Sequence, residues 1–319
     1  MTEKSLPQQH IPVMCDRVIE LLSPALNVSN PVLLDATLGL GGHSEALLKK
    51  FINLKIIGID RDQTALDRAQ KRLGELANRV QFVNETYDQI TKILEDKKVN
   101  AVLLDLGVSS IQLDETNRGF SYAQDAPLDM RMNSKDSLTA AQILNNYEAK
   151  ELTYILRTYG EEKFAKRIAQ EIAKQRNIKP FITTFELVKL IKDVIPAPAR
   201  RTGGNPAKRT FQALRIAVNN ELQILEKAIP QAMAALVVGG RILVLSYHSL
   251  EDRIVKNAFK SQSSIIDALP GLPVLLSKNI APFELVTRKA EQASNEEISA
   301  NPRATSVRLR VAQKVAVAA

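Results

Sequence analysis

Apolar residues in the first hundred positions come in short runs, each closed by a polar residue and separated by helical spacing. Val32-Leu-Leu34 ends at Asp35, and Ile56-Ile-Gly-Ile59 ends at Asp60. Val80 to Val83 forms a third run, and Ala101 to Leu106 a fourth that carries Asp105 near its end. Runs of this length bounded by turn residues predict buried strands. Between them, Ser44 to Lys50 reads as a helix capped by Ser44, followed by Thr64 to Leu76 and Tyr87 to Glu95. In the second of these, Ala65, Leu66, Ala69 and Leu73 share one face. Strands alternating with helices imply right-handed crossovers and a parallel sheet covered on both faces.

The alternation stops near Asp114. Asn, Asp, Gly and Pro clusters follow, then helical patterns over Glu148–Tyr159, Glu161–Asn177 and Thr184–Ile195. A joint rich in Pro, Gly and Arg leads to a long amphipathic pattern from Phe211 to Leu236, expected to break near Pro230 and to end at Gly239-Gly240. Arg241 to Tyr247 is a strongly apolar strand, Leu250 to Lys260 a helix, and Phe283–Arg288 with Ser306–Ala312 supply two closing strands. The economical interpretation is one discontinuous α/β unit, 1–113 with 209–319, interrupted by a helical insertion at 114–208. Two tandem domains would separate the last three strands from the first four.

Composition narrows the class. Of 319 residues, 45% are hydrophobic and 24% charged, values of an ordinary globular chain. The longest apolar candidate, Ala232 to Leu245, is broken by Gly239, Gly240 and Arg241, so no membrane span is expected. The first thirty residues lack a basic start followed by an apolar core, and one cysteine, Cys15, gives no disulfide framework. The expected setting is the cytoplasm. His10, His43 and His248 have no metal-ligand spacing, so no metal is expected. The net charge of +8 is uneven: Lys150 to Arg215 holds 15 Lys+Arg against 6 Asp+Glu, while the remainder holds 28 against 29. The excess fits RNA phosphates, with Arg200, Arg201, Lys208 and Arg209 as the sharpest cluster. A charged, solvated hinge has the same composition.

The chemistry concentrates at strand ends. Asp35-Ala-Thr-Leu-Gly-Leu-Gly-Gly-His-Ser44 lies between the first strand and its helix, where glycines let the chain turn sharply and helix N–H groups face a ligand. Asp60 ends the second strand, where a carboxylate accepts ribose hydroxyls. The absence of Gly-Lys-Ser/Thr excludes a P-loop, and Ser44 stands where a dinucleotide fingerprint wants Gly or Ala. Three acidic strand ends, Asp35, Asp60 and Asp105, beside a glycine loop suit S-adenosylmethionine, whose amino-acid part needs donors and acceptors and which has no phosphate.

Eight blocks in chain order then carry a resemblance. They are His10-Ile-Pro-Val-Met14, the Asp35–Ser44 loop, Gly58-Ile-Asp-Arg-Asp62, Leu104-Asp-Leu-Gly-Val-Ser-Ser110, Arg118-Gly-Phe-Ser121, Pro127-Leu-Asp-Met-Arg-Met132, Lys208-Arg-Thr-Phe-Gln-Ala-Leu-Arg215 and Ser246-Tyr-His-Ser-Leu-Glu-Asp-Arg253. Together they resemble the bacterial RsmH (MraW) methyltransferases. The resemblance implies a class I methyltransferase fold, a Rossmann-like, mostly parallel seven-stranded sheet with an inserted helical domain. It also implies S-adenosylmethionine-dependent methylation of a cytidine N4 amine in the decoding region of 16S ribosomal RNA, with that RNA or the small ribosomal subunit as partner. Carried over by position, the cofactor residues are Gly41, Gly42, His43, Asp60, Tyr87, Asp105 and Gln112.

An exocyclic cytosine amine is a poor nucleophile because its lone pair is delocalised into the ring. Acceptors aimed at its N–H groups would localise that pair, and the Asp105 carboxylate and Leu106 carbonyl are the candidates. His248 orients the base or relays a proton, or else is a structural hydrogen-bonder; Asp129 binds substrate or pairs with Arg131. A base outside the stack favours aromatic platforms, here Phe120, Tyr122 and Tyr247. Two other classes fit parts of the pattern: a nicotinamide-dependent oxidoreductase, from the glycine loop with Asp60, and a non-catalytic RNA-binding protein.

Overall fold

In a computed structural model of the chain, residues 12–107, 116–200, 205–263 and 281–316 are described. The chain forms two compact units, Met1–Gly107 with Ile224–Ala319, and Val108–Gln223. The first contains strands β1 (Val32–Asp35), β2 (Lys55–Asp60), β3 (Val80–Asn84), β4 (Val99–Asp105), β5 (Leu236–Ser246), β6 (Phe283–Leu285) and β7 (Arg308–Lys314). They form one seven-stranded sheet in the order β3-β2-β1-β4-β5-β7-β6. The first five strands run parallel, and β7 is antiparallel to both of its neighbours. This is the mostly parallel α/β sheet expected from the sequence.

The central strands β1, β2 and β4 and the second half of β5 are largely apolar because both of their faces are covered, and the two-residue period sorts their side chains. Leu34, Ile57, Val102, Leu104, Ile242 and Val244 pack on one side with Leu225, Ile229, Val255 and Phe259 from the helices Glu221–Ala235 and Ser249–Ser263. Leu33, Ile56, Ala101, Leu103, Leu243 and Leu245 pack on the other with Leu22, Leu26, Leu47 and Leu48. Leu22 and Leu26 belong to the helix Cys15–Leu26, which the pattern reading did not anticipate although Val18, Leu21, Leu22 and Ala25 lie on one face.

Several expected boundaries shift. The helix after β2 runs Gln63–Leu73, capped by Asp62, whose side chain accepts the Thr64 N–H, and it stops at Gly74. Tyr87–Gln89 is a short 3-10 turn ahead of a helix confined to Ile90–Leu94. The long pattern expected to break at Pro230 breaks at Asn220 instead, which takes a left-handed conformation (φ 51°) between helices Lys208–Asn219 and Glu221–Ala235. Asn tolerates that conformation better than most residues, while Pro230 is absorbed inside the second helix. Gly239 and Gly240 lie within β5, where its register against β4 shifts between Val99 and Ala101.

The second unit is helical. Ala140–Asn146, Ala149–Gly160, Ala165–Gln175, Thr184–Val194 and Lys208–Asn219 surround a core that includes Leu144, Leu156, Ile168, Ile172, Phe181, Ile191 and Leu214. Residues 209–223, counted with the sheet in the sequence, group with this unit. Capping boxes at Thr139/Gln142, Glu148/Glu151 and Thr183/Glu186 set three helix starts. Glu186 also binds Lys179 (2.5 Å), which with the backbone N–H groups pulls its carboxyl down to about 2. No helix among the described residues is long and apolar enough to cross a membrane.

Gly119 in the Arg118-Gly-Phe-Ser block has φ +70°, and a Cβ there would stand 2.1 Å from the Pro127 carbonyl oxygen. Gly119→Ala is therefore expected to cost about 3 kcal/mol or more, since both backbone strain and an immovable contact oppose it. Chemical denaturation of the purified variant measures this.

Candidate active site

The carboxyl edge of β1, β2, β4 and β5 gathers four acidic side chains, and each is held by specific donors. Asp35, 2% exposed, receives the Ser44 hydroxyl on Oδ2 (2.6 Å) and the Thr37 N–H on Oδ1 (3.3 Å). Burial pushes its pKa up, and the Ser44 hydrogen bond and His43 pull against that rise. Ser44 is thus not the helix cap the sequence suggested. The helix Gly42–Lys50 begins after Gly41, whose φ of 73° suits glycine, and Ser44 turns inward to satisfy Asp35.

Asp60 closes the glycine turn from the neighbouring strand. Its Oδ2 accepts the Gly39 N–H and its Oδ1 the Asp62 N–H, both at 2.8 Å. Removal from water, with Asp62 and Asp35 nearby, pushes its pKa up to about 6 despite those two hydrogen bonds. Each carboxylate oxygen has one backbone donor and a further lone pair, a pair of acceptors that fits two adjacent hydroxyls. Gly42 opens the helix with Pro12 packed where a side chain would stand. Tyr87 is half-buried against the apolar layer beside β3.

Asp105 ends β4 between two groups. The Tyr247 hydroxyl donates to its Oδ1 (2.7 Å), and His43 Nδ1 stands 3.6 Å from its Oδ2. The buried His43 ring is oriented by a 2.9 Å contact from Nε2 to the Val13 carbonyl. The Asp105 N–H donates to Thr37 Oγ1 (2.6 Å), which ties the start of the glycine loop to β4. Burial raises the Asp105 pKa; His43 and the Tyr247 hydroxyl oppose this, and the Glu251 charge adds to it. Leu106 is buried, and its N–H donates to the Leu245 carbonyl (2.9 Å).

His248 lies at the start of the helix Ser249–Ser263, where Nδ1 accepts the Glu251 N–H at 3.4 Å and Nε2 faces Glu251 Oε1 at 3.1 Å. Those contacts give it a structural place at the helix start. Gln112 and Arg201 lie outside the described residues. Among the described residues, no cluster of His, Cys, Asp or Glu is arranged to hold a metal.

In the second unit, Phe120 is corrected from an expected stacking platform to a core residue. It is 8% exposed, packed among Leu128 and Met130, with the Arg118 guanidinium 5.9 Å from its ring centre. Tyr122 instead lines an open groove with Phe185, Lys189, Lys192, Asp193 and Asn205. Asp129 pairs with Arg131 through two 2.7 Å hydrogen bonds. Arg200, Lys208 and Arg209 are exposed, and Arg209 also donates to the Glu161 carbonyl (3.2 Å).

The comparisons agree over nearly the whole chain. A family model described as the MraW methylase family matches residues 7–315. The chain belongs to that family. The ribosomal RNA small subunit methyltransferase H of Mycolicibacterium smegmatis is 56% identical over 314 residues, covering 96% of this chain and 84% of the relative. That of Thermobifida fusca is 54% identical over 308 residues, covering 96% and 93%. Among solved structures, an N-methyltransferase, NodS, from Bradyrhizobium japonicum in complex with S-adenosyl-L-homocysteine is similar with TM-score 0.42 and 9% identity, covering 96% of this chain and 89% of that one. Membership of the MraW family makes the protein a methylase.

Sequence reading missed Thr37, Ser44 and Glu251 as hydrogen-bonding members of this edge. Only Glu251 left a signal, the three-residue spacing from His248 that capping boxes share. Carbon-13 NMR of the carboxyl groups should find Asp60 titrating near pH 6 in the free protein. Because folding raises this pKa, the folded chain holds the proton more tightly, so the contribution of Asp60 to stability falls as pH rises from 3.8 to about 6.

Proposed function

We propose that this protein transfers a methyl group from S-adenosylmethionine to the exocyclic N4 amine of a cytidine in the decoding region of 16S ribosomal RNA, acting in the cytoplasm on that RNA or on the small subunit. The observation that carries this reading is full-length membership of the MraW methylase family, with relatives above 50% identity named ribosomal RNA small subunit methyltransferase H. Membership of a methylase family also sets aside the nicotinamide-dependent reading.

Asp60 would hold the ribose diol, with the turn at Gly41, Gly42 and His43, Tyr87, Asp105 and Gln112 completing the cofactor set. Bound there, the donor supplies a methyl group already activated on a sulfonium, so the reaction needs chiefly a positioned nucleophile. Asp105 would accept an amine N–H and localise the lone pair that conjugation withdraws, with the Leu106 carbonyl as second acceptor. Its N–H is committed to Leu245, which fixes the orientation of the peptide entering Leu106. A proton released from the amine would pass to Asp105, whose own proton affinity is raised by burial. The target base must leave its stack, so phosphate contacts are needed on either side. Lys189, Lys192, Arg200, Lys208 and Arg209 supply exposed charge, and Tyr122 and Phe185 supply aromatic side chains in the groove that the first two also line.

Labelled S-adenosylmethionine and small subunits from a deletion strain test the reading, with mass mapping of the modified nucleotide. Methyl transfer only to protein, to DNA or to another position would overturn it, and RNA binding without methyl transfer would favour the non-catalytic alternative. Asp60→Ala should weaken cofactor binding at least about tenfold, the value of one charge-assisted hydrogen bond. In the intact protein, calorimetry should show affinity falling as pH drops through about 6, because protonation removes an acceptor oxygen from Asp60. Charge reversal at Lys189 and Lys192 should weaken RNA binding and reduce its salt dependence by about two phosphate contacts, leaving cofactor affinity unchanged.

A further inference from the structure

Glu251 is buried, with 3% exposure, in the first turn of the helix Ser249–Ser263 that follows β5. A carboxylate in that position is costly unless its oxygens are paired. Its Oε2 accepts the N–H groups of Tyr247 (2.8 Å) and His248 (3.2 Å), and its Oε1 faces His248 Nε2. The single residue between β5 and His248 is therefore clamped by a side chain from the helix that follows. That residue is Tyr247, whose hydroxyl reaches Asp105 Oδ1 on the adjacent strand.

The torsion of an Asp carboxyl about its last bond is broad, so one strand-end Asp is a poorly aimed acceptor without further contacts. Asp105 has a contact on each oxygen, Tyr247 on one and His43 on the other. His43 is set by Val13, and Tyr247 is set by Glu251. We infer that Glu251 is a positioning residue for methyl transfer, fixing the Tyr247 backbone so that the phenol holds Asp105 in its accepting orientation. The inference rests on the proposed role of Asp105 toward the amine. A carboxylate that only capped a helix would need no phenol at the far end of the residue it binds.

The charged and titratable groups facing this chain come from every element around it: Asp35 from β1, His43 from the helix after it, Glu251 from the helix after β5, and Glu297 near Tyr247. Loss of the Tyr247 hydroxyl removes a donor that favours ionised Asp105, so its proton affinity should rise. The acidic limb of the kcat profile should then move to higher pH in Tyr247→Phe.

The test uses the full-length enzyme on small subunits, with wild type, Tyr247→Phe, Glu251→Ala, Glu251→Gln and the double variant Tyr247→Phe/Glu251→Ala. Misplacing an acceptor costs up to about a hundredfold, so each of Tyr247→Phe and Glu251→Ala should lower kcat by about tenfold or more. KM for S-adenosylmethionine should stay within about threefold, and the double variant should be no slower than the slower single, as expected for residues acting in one chain. Glu251→Gln keeps an acceptor oxygen for the two N–H groups and should recover most of the loss. An active wild type with kcat unchanged in Glu251→Ala, or with multiplying losses in the double variant, overturns the positioning role. If Glu251→Ala does not fold, an unchanged kcat or acidic limb in Tyr247→Phe overturns it equally. A wild type that binds the cofactor yet methylates no small-subunit RNA counts against the proposed function instead.

Discussion

Taking carboxylates out of water at the end of a parallel sheet is the constraint around which the site is organised. Asp35, Asp60, Asp105 and Glu251 each lose hydration, and they accept hydrogen bonds from backbone N–H groups or from the hydroxyls of Ser44 and Tyr247. Those donors come from other elements of the same unit. Ser44 ties the helix Gly42–Lys50 to β1, Gly39 ties the glycine turn to β2, and Tyr247 ties the end of β5 to β4. The cost of burying charge is thus converted into fixed distances between strand ends. An apolar edge would pack as well, but would leave the turn and the two following segments free to choose other orientations.

The sheet makes this arrangement possible because both of its faces are apolar. Leu33 and Leu34, Ile56 and Ile57, Leu103 and Leu104 alternate between two covered layers, so the strands cannot slip by one residue without exchanging the layers. Register is thereby fixed, with Asp35 beside Gly58 and Leu103, and Asp105 beside Leu245. The acidic groups Asp35, Asp60 and Asp105 stand where the strands end and the layers open. The antiparallel β7 then completes the sheet beyond β5, and Arg310 reaches from it to Asp252 on the helix that carries Glu251. The helix holding the clamp is therefore itself anchored to the sheet.

Much of this was legible in the sequence, and what was not shares a physical cause. Buried strands announce themselves as short apolar runs, so the positions of Asp35, Asp60 and Asp105 at strand ends followed from pattern alone. Local breakers were harder to rank: Pro230 looked like the stronger interruption, yet Asn220 takes the left-handed turn because its side chain tolerates that conformation and the packed helix tolerates a proline. Ser44 looked like a cap because serine commonly is one, but the buried Asp35 nearby had the greater need of its hydroxyl. Phe120 and Tyr122, two residues apart, looked equivalent as aromatic surfaces, and only three-dimensional packing separates the core ring from the groove-lining one. In each case the deciding partner lies far along the chain or depends on burial that one-dimensional spacing does not encode.

Asp105 bears the conflict most directly. Its backbone N–H is committed to Thr37, one oxygen to Tyr247, and the other faces His43, so nearly every group of a residue assigned to chemistry is also a structural tie. The two uses are compatible because a carboxylate oxygen has two lone pairs and needs only one for the protein. They are also interdependent. The tyrosine hydroxyl lowers the proton affinity that burial raises, which keeps Asp105 an acceptor, while Glu251 raises it again from a distance and at the same time holds that tyrosine in place. Removing Glu251 therefore changes charge and geometry in opposite directions at Asp105. For that reason the geometric contribution is separable in two complementary ways: at the phenol, where the charge of Glu251 is retained and the contact is lost, and with an amide at position 251, where the charge is lost and the acceptor is kept.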